Sequence, residues 1–532
     1  MFIHPEDIAY VRMTVKDVEA IFEEHILNKQ VIDRLLYKDG DQNLVVPSPK
    51  DMNFFKKQKR IALRNVGDID PRSIDAYIGR DGYLALHRCL TEETPESVID
   101  MVRKSGLRGR GGGGFPTGLK WAYTKAVDSD EKYVICNADE GDPGAFMDRS
   151  IIEGDPHSLV EAMIIAGYAN GANEGHVYIR AEYAISLEPL TLAIETAREK
   201  GFLGKNIFDS GFDFDIHIKL GAGAFVCGEE TALIRSMEGH RGEPDKKPPF
   251  PSESGFRGKP TSVNNVETFV NVPAIILNGP EWFAAIGTER SKGTKVFALA
   301  GHLRNIGLVE VPMGTTFREI IYEIGGGHPE GKAIKAVQIG GPSGGVITEE
   351  YFDTPIDYDS LLAIGAMMGS GGMIVMDEDS DMVEIAKFYL DFTQDESCGK
   401  CTPCRIGTKR MYEILERLTA MEGHPSDLER LETLGDNIKN ASLCGLGQTA
   451  PNPVLSTMKF FREEYEAYAY RTKRTSYLID GKACIGCTKC ARVCPVDCIE
   501  GSVREVHKIN ESDCIACGAC YDACPTNAIL KP

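Results

Sequence analysis

A multidomain α/β plus α+β architecture is predicted from four features of the 532-residue chain. Residues 58–290 alternate apolar strands with helical runs and are punctuated by glycine clusters. Residues 291–375 carry short apolar strands bounded by Gly and Pro. Residues 376–470 show helical periodicity, and the last 57 residues hold a duplicated cysteine run. The length suits roughly three to five domains. Hydrophobic residues make up 42%, enough for several cores, and 59 basic against 79 acidic residues give a net charge of −20. That charge disfavours nucleic acid and anionic membranes as partners. No apolar run reaches membrane-spanning length, so no direct membrane insertion is expected. The first residues, with neither basic region nor apolar stretch, do not read as a secretory leader, and a cytoplasmic location is expected.

Residues 1–45 open as a strand–helix fragment. Over 15–27 the helical period places Val18, Ile21, Phe22 and Ile26 on one side, with Asp17 near the start. Polar, irregular sequence follows to about residue 58. Within 58–290 an apolar strand spans 133–136. In 291–375 strands at 296–299, 308–311 and 336–339 surround one helix at 317–324. In 376–470 the stretches 411–418 and 454–470 are amphipathic, and the acidic run 377–381 reads as a solvated helix start. A basic linker, 471–475, leads into the tail, 476–532.

The tail repeats one pattern twice. Cys484-x2-Cys487-x2-Cys490-x3-Cys494-Pro495 is followed by Cys514-x2-Cys517-x2-Cys520-x3-Cys524-Pro525. This spacing resembles that of bacterial two-cluster ferredoxins, in which the fourth cysteine of each run serves the other cluster. It assigns Cys484, Cys487, Cys490 and Cys524 to one [4Fe–4S] cluster and Cys514, Cys517, Cys520 and Cys494 to a second. Zinc favours closed sets of four ligands, and disulfides suit secreted chains; neither fits eight thiols in a three-plus-one duplication. A further CxxCxxC loop, Cys398, Cys401 and Cys404, stands before a helix, and Cys444 follows 40 residues later. Three clustered thiols and one remote thiol suit a third [4Fe–4S] cluster. Cys89, Cys136, Cys227 and Cys498 are left over and are expected to be plainly buried, with Cys498 notable for lying just past a cluster ligand.

Four segments upstream suggest a ligand cavity. Residues 106–121 hold the densest glycine cluster, including Gly109, Gly111 and Gly113. Glycines admit close backbone approach, and N–H groups ahead of a helix can line an anion site. Arg110 and Lys120 add positive charge for a phosphate. The loop lacks the Gly-Lys-Ser/Thr of a triphosphate loop, and the strict dinucleotide fingerprint is absent. The segment Asn137-Ala138-Asp139-Glu140-Gly141-Asp142 follows the strand at 133–136, and strand ends are where α/β sheets bind ligands. Small residues around Phe225 and Gly228, followed by Glu229 and Glu230, would admit a flat ring. A fourth stretch carries Lys247 and Phe250 and then Asn264 and Asn265.

Together these segments resemble the NADH-binding flavoprotein subunit of respiratory complex I and its relatives, the diaphorase subunits of NAD-linked hydrogenases and formate dehydrogenases. The resemblance covers about residues 1–470 and implies a cavity for FMN and NAD(H). By motif position FMN would lie against Gly109, Arg110, Gly111, Gly113, Lys120, Asn137, Asp139, Glu140, Phe225, Gly228, Glu229, Asn264 and Asn265. NADH would lie near Phe115, Tyr123 and Phe250, with Asp142, Glu230 and Lys247. No side-chain acid or base is required for hydride transfer, although Glu140 and Glu230 stand nearby. The Cys398/Cys401/Cys404/Cys444 cluster would be the one nearest the flavin. The fold implied is a Rossmann-like FMN/NADH domain, a β-grasp domain at 291–375 to which no chemistry is assigned, a helical-bundle [4Fe–4S] domain and a bacterial-type 2[4Fe–4S] ferredoxin domain.

The tail resembles that of electron-bifurcating hydrogenase relatives. The first 45 residues resemble the remnant of a thioredoxin-like domain without its cluster cysteines, which implies either a separate small [2Fe–2S] subunit that supplies the cluster or a docking relic. Residues 445–483 lack the extra cysteines some such relatives use for zinc, and His507 reads as an ordinary surface residue. Phe225 stands where relatives often have Tyr. The resemblance implies an NADH-oxidising or NAD-reducing subunit working with a metal-bearing catalytic subunit and with ferredoxin. The alternatives are a self-sufficient NADH:ferredoxin oxidoreductase and a non-catalytic electron-relay or scaffold subunit.

Overall fold

The computed structural model describes residues 1–39, 44–46, 48, 51–470, 477–510 and 513–531; the predicted linker at 471–475 lies outside them. The largest core surrounds a four-stranded parallel sheet in the order Asp215–Gly221, Glu174–Arg180, Tyr133–Ala138, Thr261–Asn265. The chain winds outward from Tyr133–Ala138 through two neighbours, then returns to pair on its other edge. The direction of winding therefore reverses between Tyr133–Ala138 and Thr261–Asn265. Ligand crevices open at the carboxyl ends of strands at such a switch point. Helix Pro156–Asn170 is apolar nearly all round and is buried accordingly, as is most of Val266–Asn278.

A second core fills a five-stranded sheet in the order Gly307–Pro312, Thr294–Gly301, Gly372–Asp377, Ile334–Ile339, Gly345–Thr348. Its pairings are antiparallel except between Gly372–Asp377 and Thr294–Gly301. The predicted strands sit inside these, and the predicted helix appears as a π-helical turn, Glu319–Ile324. Asp377 is buried at the end of a strand rather than solvated, close to His302 and His328, whereas Asp381 caps helix Met382–Asp395 through Val383 and Glu384 N–H. A third core joins the helices Met382–Asp395, Thr402–Thr419, Ser426–Ala441, Asn452–Phe460 and Arg462–Tyr470. The amphipathic run at 454–470 is thus two helices, broken at Phe461, whose φ of −128° and ψ of 41° lie outside the helical region.

At the amino end Phe2–Ile3 pairs with Ile8–Ala9, and Asp17–Ala20 runs into a π-helix, Ile21–Leu27. The wider π turn brings Ile21 and His25 inward, where the Tyr10 hydroxyl and His25 Nδ1 are 2.7 Å apart. Val18, Phe22 and Ile26 stay exposed, so of the apolar side predicted at the α-helical period only Ile21 is buried. The tail is a pseudo-twofold unit. Leu478–Ile479 pairs with Ile529–Leu530, Ile499–Glu500 pairs with Lys508–Ile509, and the short helices Lys489–Val493 and Ala519–Ala523 complete it. His507 is buried beside Gly501, with Nδ1 3.0 Å from the Glu505 carbonyl, and not on the surface.

Candidate functional site

A cavity of about 480 Å³ opens at the switch point. Its floor is made by the two strand ends. Asn137 donates to the Gly228 carbonyl at 2.9 Å and accepts the Asp139 N–H, which locks the turn after the strand. Asn264 accepts from the Trp121 indole at 2.9 Å, and Asn265 caps helix Val266–Asn278 while donating to Asp148. One wall is the glycine loop. Gly112 and Gly114 have φ of +115° and +61°, values that suit glycine, and a Cβ on Gly113 would meet no atom within 4 Å. Gly109, Gly111, Gly113 and Phe115 all face the cavity, and so does Lys120 from the helix that follows.

The opposite wall comes from Phe225, Gly228, Glu229 and Glu230. Glu229 caps helix Glu230–Met237 through Thr231 and Ala232 N–H. Lys120 and Lys247 both reach Glu230, at 3.2 and 2.7 Å. Burial alone would raise the Glu230 carboxyl, but these two cations hold it below its ordinary value. Phe225 supplies no hydroxyl; its ring meets Phe392 edge-on at 5.4 Å, and its N–H donates to Glu396.

The inner end is acidic. Glu140 accepts the first N–H groups of helix Met147–Gly154 from Asp148 and Arg149, and Asp142 accepts from Ser370. Burial pushes Glu140 up to about 7 and Asp142 to about 6, and it pushes Asp148 well above its ordinary range, helped by Glu140 and Glu267. Beneath them Lys295, fully buried, pairs with Glu267 and holds the local charge down. Asp139 has a side chain closed off from solvent, and neither of its carboxylate oxygens has a hydrogen-bond partner. Arg180 Nη1, also unpartnered, lies 3.6 Å away, and burial lifts the Asp139 carboxyl to about 7.

Of the predicted residues, Arg110 is not in this wall. Its side chain is fully buried and donates to the Arg108, Lys292 and Thr294 carbonyls, so its charge pins the loop to the next sheet. Tyr123 and Phe250 are half-exposed and also lie outside the lining. The cavity gains residues that were not predicted: Asp148 and Thr268 from the parallel-sheet unit, Met367 and Ser370 from the five-stranded unit, and Leu446 from the helical unit. Thr268 alone had a legible signal, standing one helical turn past Asn265.

Cys398, Cys401, Cys404 and Cys444 converge on one small pocket with Val226, Pro244, Leu443 and Leu446. Val226 and Leu446 line both this pocket and the large cavity, so one apolar layer separates them. The segment around 241–247 also ties the two. Arg241 donates to the Cys398 carbonyl and Lys400 to the Pro244 carbonyl, both at 2.6 Å, while Lys247 holds Glu229 and Glu230. In the tail Cys494 shares a pocket with Cys514, Cys517 and Cys520 from the other run. Cys498 lies in the same pocket; Cys89, Cys136 and Cys227 are buried in the cores.

These donor sets fit the groups the sequence implies. Four thiols around one pocket suit an iron–sulfur cube. A glycine cradle open at Gly113, together with the buried Asp139 carboxylate, which lines the cavity and has no hydrogen-bond partner, suits a polar ligand.

Residues 102–274 match the Nuo51 FMN-binding domain, 296–347 the SLBB domain, 384–468 the NADH-ubiquinone oxidoreductase-F iron-sulfur binding region and 478–531 the 4Fe-4S dicluster domain. The chain is 62% identical over 460 residues to the NADP-reducing hydrogenase subunit HndC of Solidesulfovibrio fructosivorans, covering 85% of this chain and 94% of that one. It is 42% identical over 416 residues to the F subunit of NADH-quinone oxidoreductase from Escherichia coli, covering 78% and 94%. An NAD+-reducing [NiFe]-hydrogenase in its H2-reduced state superposes with a TM-score of 0.69 at 33% identity, over 87% of this chain and 74% of that one. The chain therefore belongs to the family of FMN- and iron–sulfur-binding oxidoreductase subunits that includes the F subunit of NADH-quinone oxidoreductase.

Proposed function

We propose that this chain is the nucleotide-reactive subunit of a cytoplasmic multisubunit reductase that exchanges electrons between NAD(H) and a metal-bearing catalytic partner. The observation that carries the reading is that Val226 and Leu446 line both the large cavity and the pocket of four thiols, which supports a short path between nucleotide and first cluster. FMN, when bound, supplies the conversion between two-electron hydride chemistry and single electrons. The chain's own residues do the rest. The loop Gly109–Gly113 brings backbone N–H groups to the phosphate end, and Lys120 adds charge. Asn137, Asp139, Asn264 and Asn265 orient the ring end. Phe115, Glu230 and Lys247 stand on the nucleotide's side. Cys398, Cys401, Cys404 and Cys444 hold the first cluster, and the eight tail thiols hold two more for exchange with ferredoxin or the partner. A small thioredoxin-like [2Fe–2S] subunit completes the assembly.

Two experiments test this. Anaerobic mixing with NADH or NADPH should bleach the flavin band and then the cluster bands. The HndC relative is named for NADP, so the ratio of the two rates assigns the nucleotide. Anoxic native purification followed by mass spectrometry should recover a small iron–sulfur subunit and a metal-bearing subunit. A lone chain that still reduces ferredoxin with NADH would replace this reading with the self-sufficient one, and a flavin-free chain would leave only a relay.

A further inference from the structure

The two halves of the tail share one backbone but differ in one thiol. Cys494-Pro-Val-Asp-Cys498-Ile499 in the first run matches Cys524-Pro-Thr-Asn-Ala528-Ile529 in the second. The residue before the differing position is left-handed in both, Asp497 at φ 48° and Asn527 at φ 51°. The carbonyls of Cys498 and Ala528 accept from Asn510 and Asp480 N–H, each at 2.7 Å. Ala528 N–H donates to Cys524 Sγ at 3.3 Å, so this turn already presents an N–H to the fourth thiol of its run. At the first site a second thiol is added beside the fourth one. Cys498 is 4% exposed, its Sγ is 3.4 Å from Cys494 Sγ, and it lines the same pocket as Cys514, Cys517 and Cys520.

A cube takes four protein ligands, and this pocket's four are already supplied by the three-plus-one pattern. The fifth thiol sits among Val496, Ile499, Ile509 and Ile515. Its natural acceptor is the ligand sulfur beside it. Hydrogen bonds to cluster sulfurs draw electron density from the iron and raise the reduction potential. We propose that Cys498 donates an S–H···S hydrogen bond to the Cys494 thiolate. The cluster of Cys494, Cys514, Cys517 and Cys520 is thereby held at a higher potential than its pseudo-symmetric neighbour, and the two-cluster tail acquires a direction. The inference rests on the reading of the tail thiols as cluster ligands.

The test is an EPR-monitored redox titration of the full chain, with iron counted per chain, for the wild type, Cys498→Ala, Cys498→Ser and Ala528→Cys. In Cys498→Ala, iron should be unchanged and one tail midpoint should fall. At fixed poise the reduced-to-oxidised ratio of that cluster should drop by about three- to tenfold, tenfold being about 59 mV for one electron. Cys498→Ser, which keeps a donor, should retain most of the wild-type midpoint, and Ala528→Cys should raise the other one. Unchanged midpoints in Cys498→Ala would overturn the proposal. So would a Ser variant that behaves like Ala, or loss of tail iron in Cys498→Ala, which would make Cys498 a ligand. A wild-type tail without iron would instead defeat the cluster reading on which the proposal stands.

Discussion

Replacing Lys295 by Met removes the cation buried under the acidic end of the cavity. Lys295 Nζ pairs with the Glu267 carboxylate and also donates to the Val296 carbonyl at 2.8 Å, and both charged side chains are essentially inaccessible to solvent. Breaking one side of such a pair typically costs about 3–5 kcal/mol, because the remaining charge is stranded. The arrangement here allows a sharper figure. With the ammonium gone, the cheapest escape is for one buried carboxyl to take up a proton. A carboxyl that titrates near 4.3 in the unfolded chain must then keep that proton at pH 7, which costs about 3.7 kcal/mol; at pH 5 the same proton costs only about 1 kcal/mol. The sign follows: the folded variant prefers the protonated form, so the penalty is absent below the unfolded value and grows as pH rises. The chain's two tryptophans, Trp121 and Trp282, both pack into the parallel-sheet core, so their fluorescence reports this unit alone during urea unfolding. Lys295→Met should lose roughly 2.7 kcal/mol more stability at pH 7 than at pH 5, relative to wild type. Adding Glu267→Gln should remove most of that slope. A penalty independent of pH, or a slope left intact in the double variant, would refute the reasoning.

At the cavity itself, Gly113→Ala should fold normally, since its Cβ meets only open space, yet release FMN at least about tenfold more readily on dialysis, whereas Gly114→Ala, at φ +61° with the Tyr358 ring 2.7 Å from the new atom, should lower thermal stability by at least about 1–2 kcal/mol. Cys404→Ala should leave flavin reduction by NADH intact in stopped-flow absorbance but abolish fast reduction of the tail clusters; fast tail reduction would mean that electrons take another route. The ligand-free protein should lose stability as pH rises from the unfolded value of Asp139, 3.8, through its folded value of about 7, because the folded state holds that proton more tightly. Asp139→Asn should flatten this part of the melting-temperature profile.

Much of the site was legible because glycine clusters, paired asparagines and cysteine spacings are local signals. Their meeting point was not local, since it depends on the reversal of strand order that sets 133–138 beside 261–265. Arg110 and Lys120 illustrate the limit. Both are cations at the glycine loop, and only carbonyls from residues 292 and 294 reveal that Arg110 is spent on packing. Tyr123 and Phe250 are aromatics near the right motifs, but a helix face and a loop exit turn them away from the lining. Ser370 and Leu446 reach the cavity from other folding units and carry no motif that sequence reasoning could weigh. The amino-terminal helix misled for a different reason: its α-helical period was real, but the backbone widened to a π turn that buries Ile21 with His25 and leaves Val18, Phe22 and Ile26 exposed.

The layer formed by Val226 and Leu446 sets what can pass between the two chambers it divides. Hydrocarbon a side chain thick offers no hydrogen-bond relay and no room for a hydrated ion across it. An electron needs neither, because it tunnels. Across its own thickness the partition is therefore a filter by particle type, closed to what must carry a hydration shell and open to what need not. A polar or smaller side chain at either position would thin it and weaken that selection.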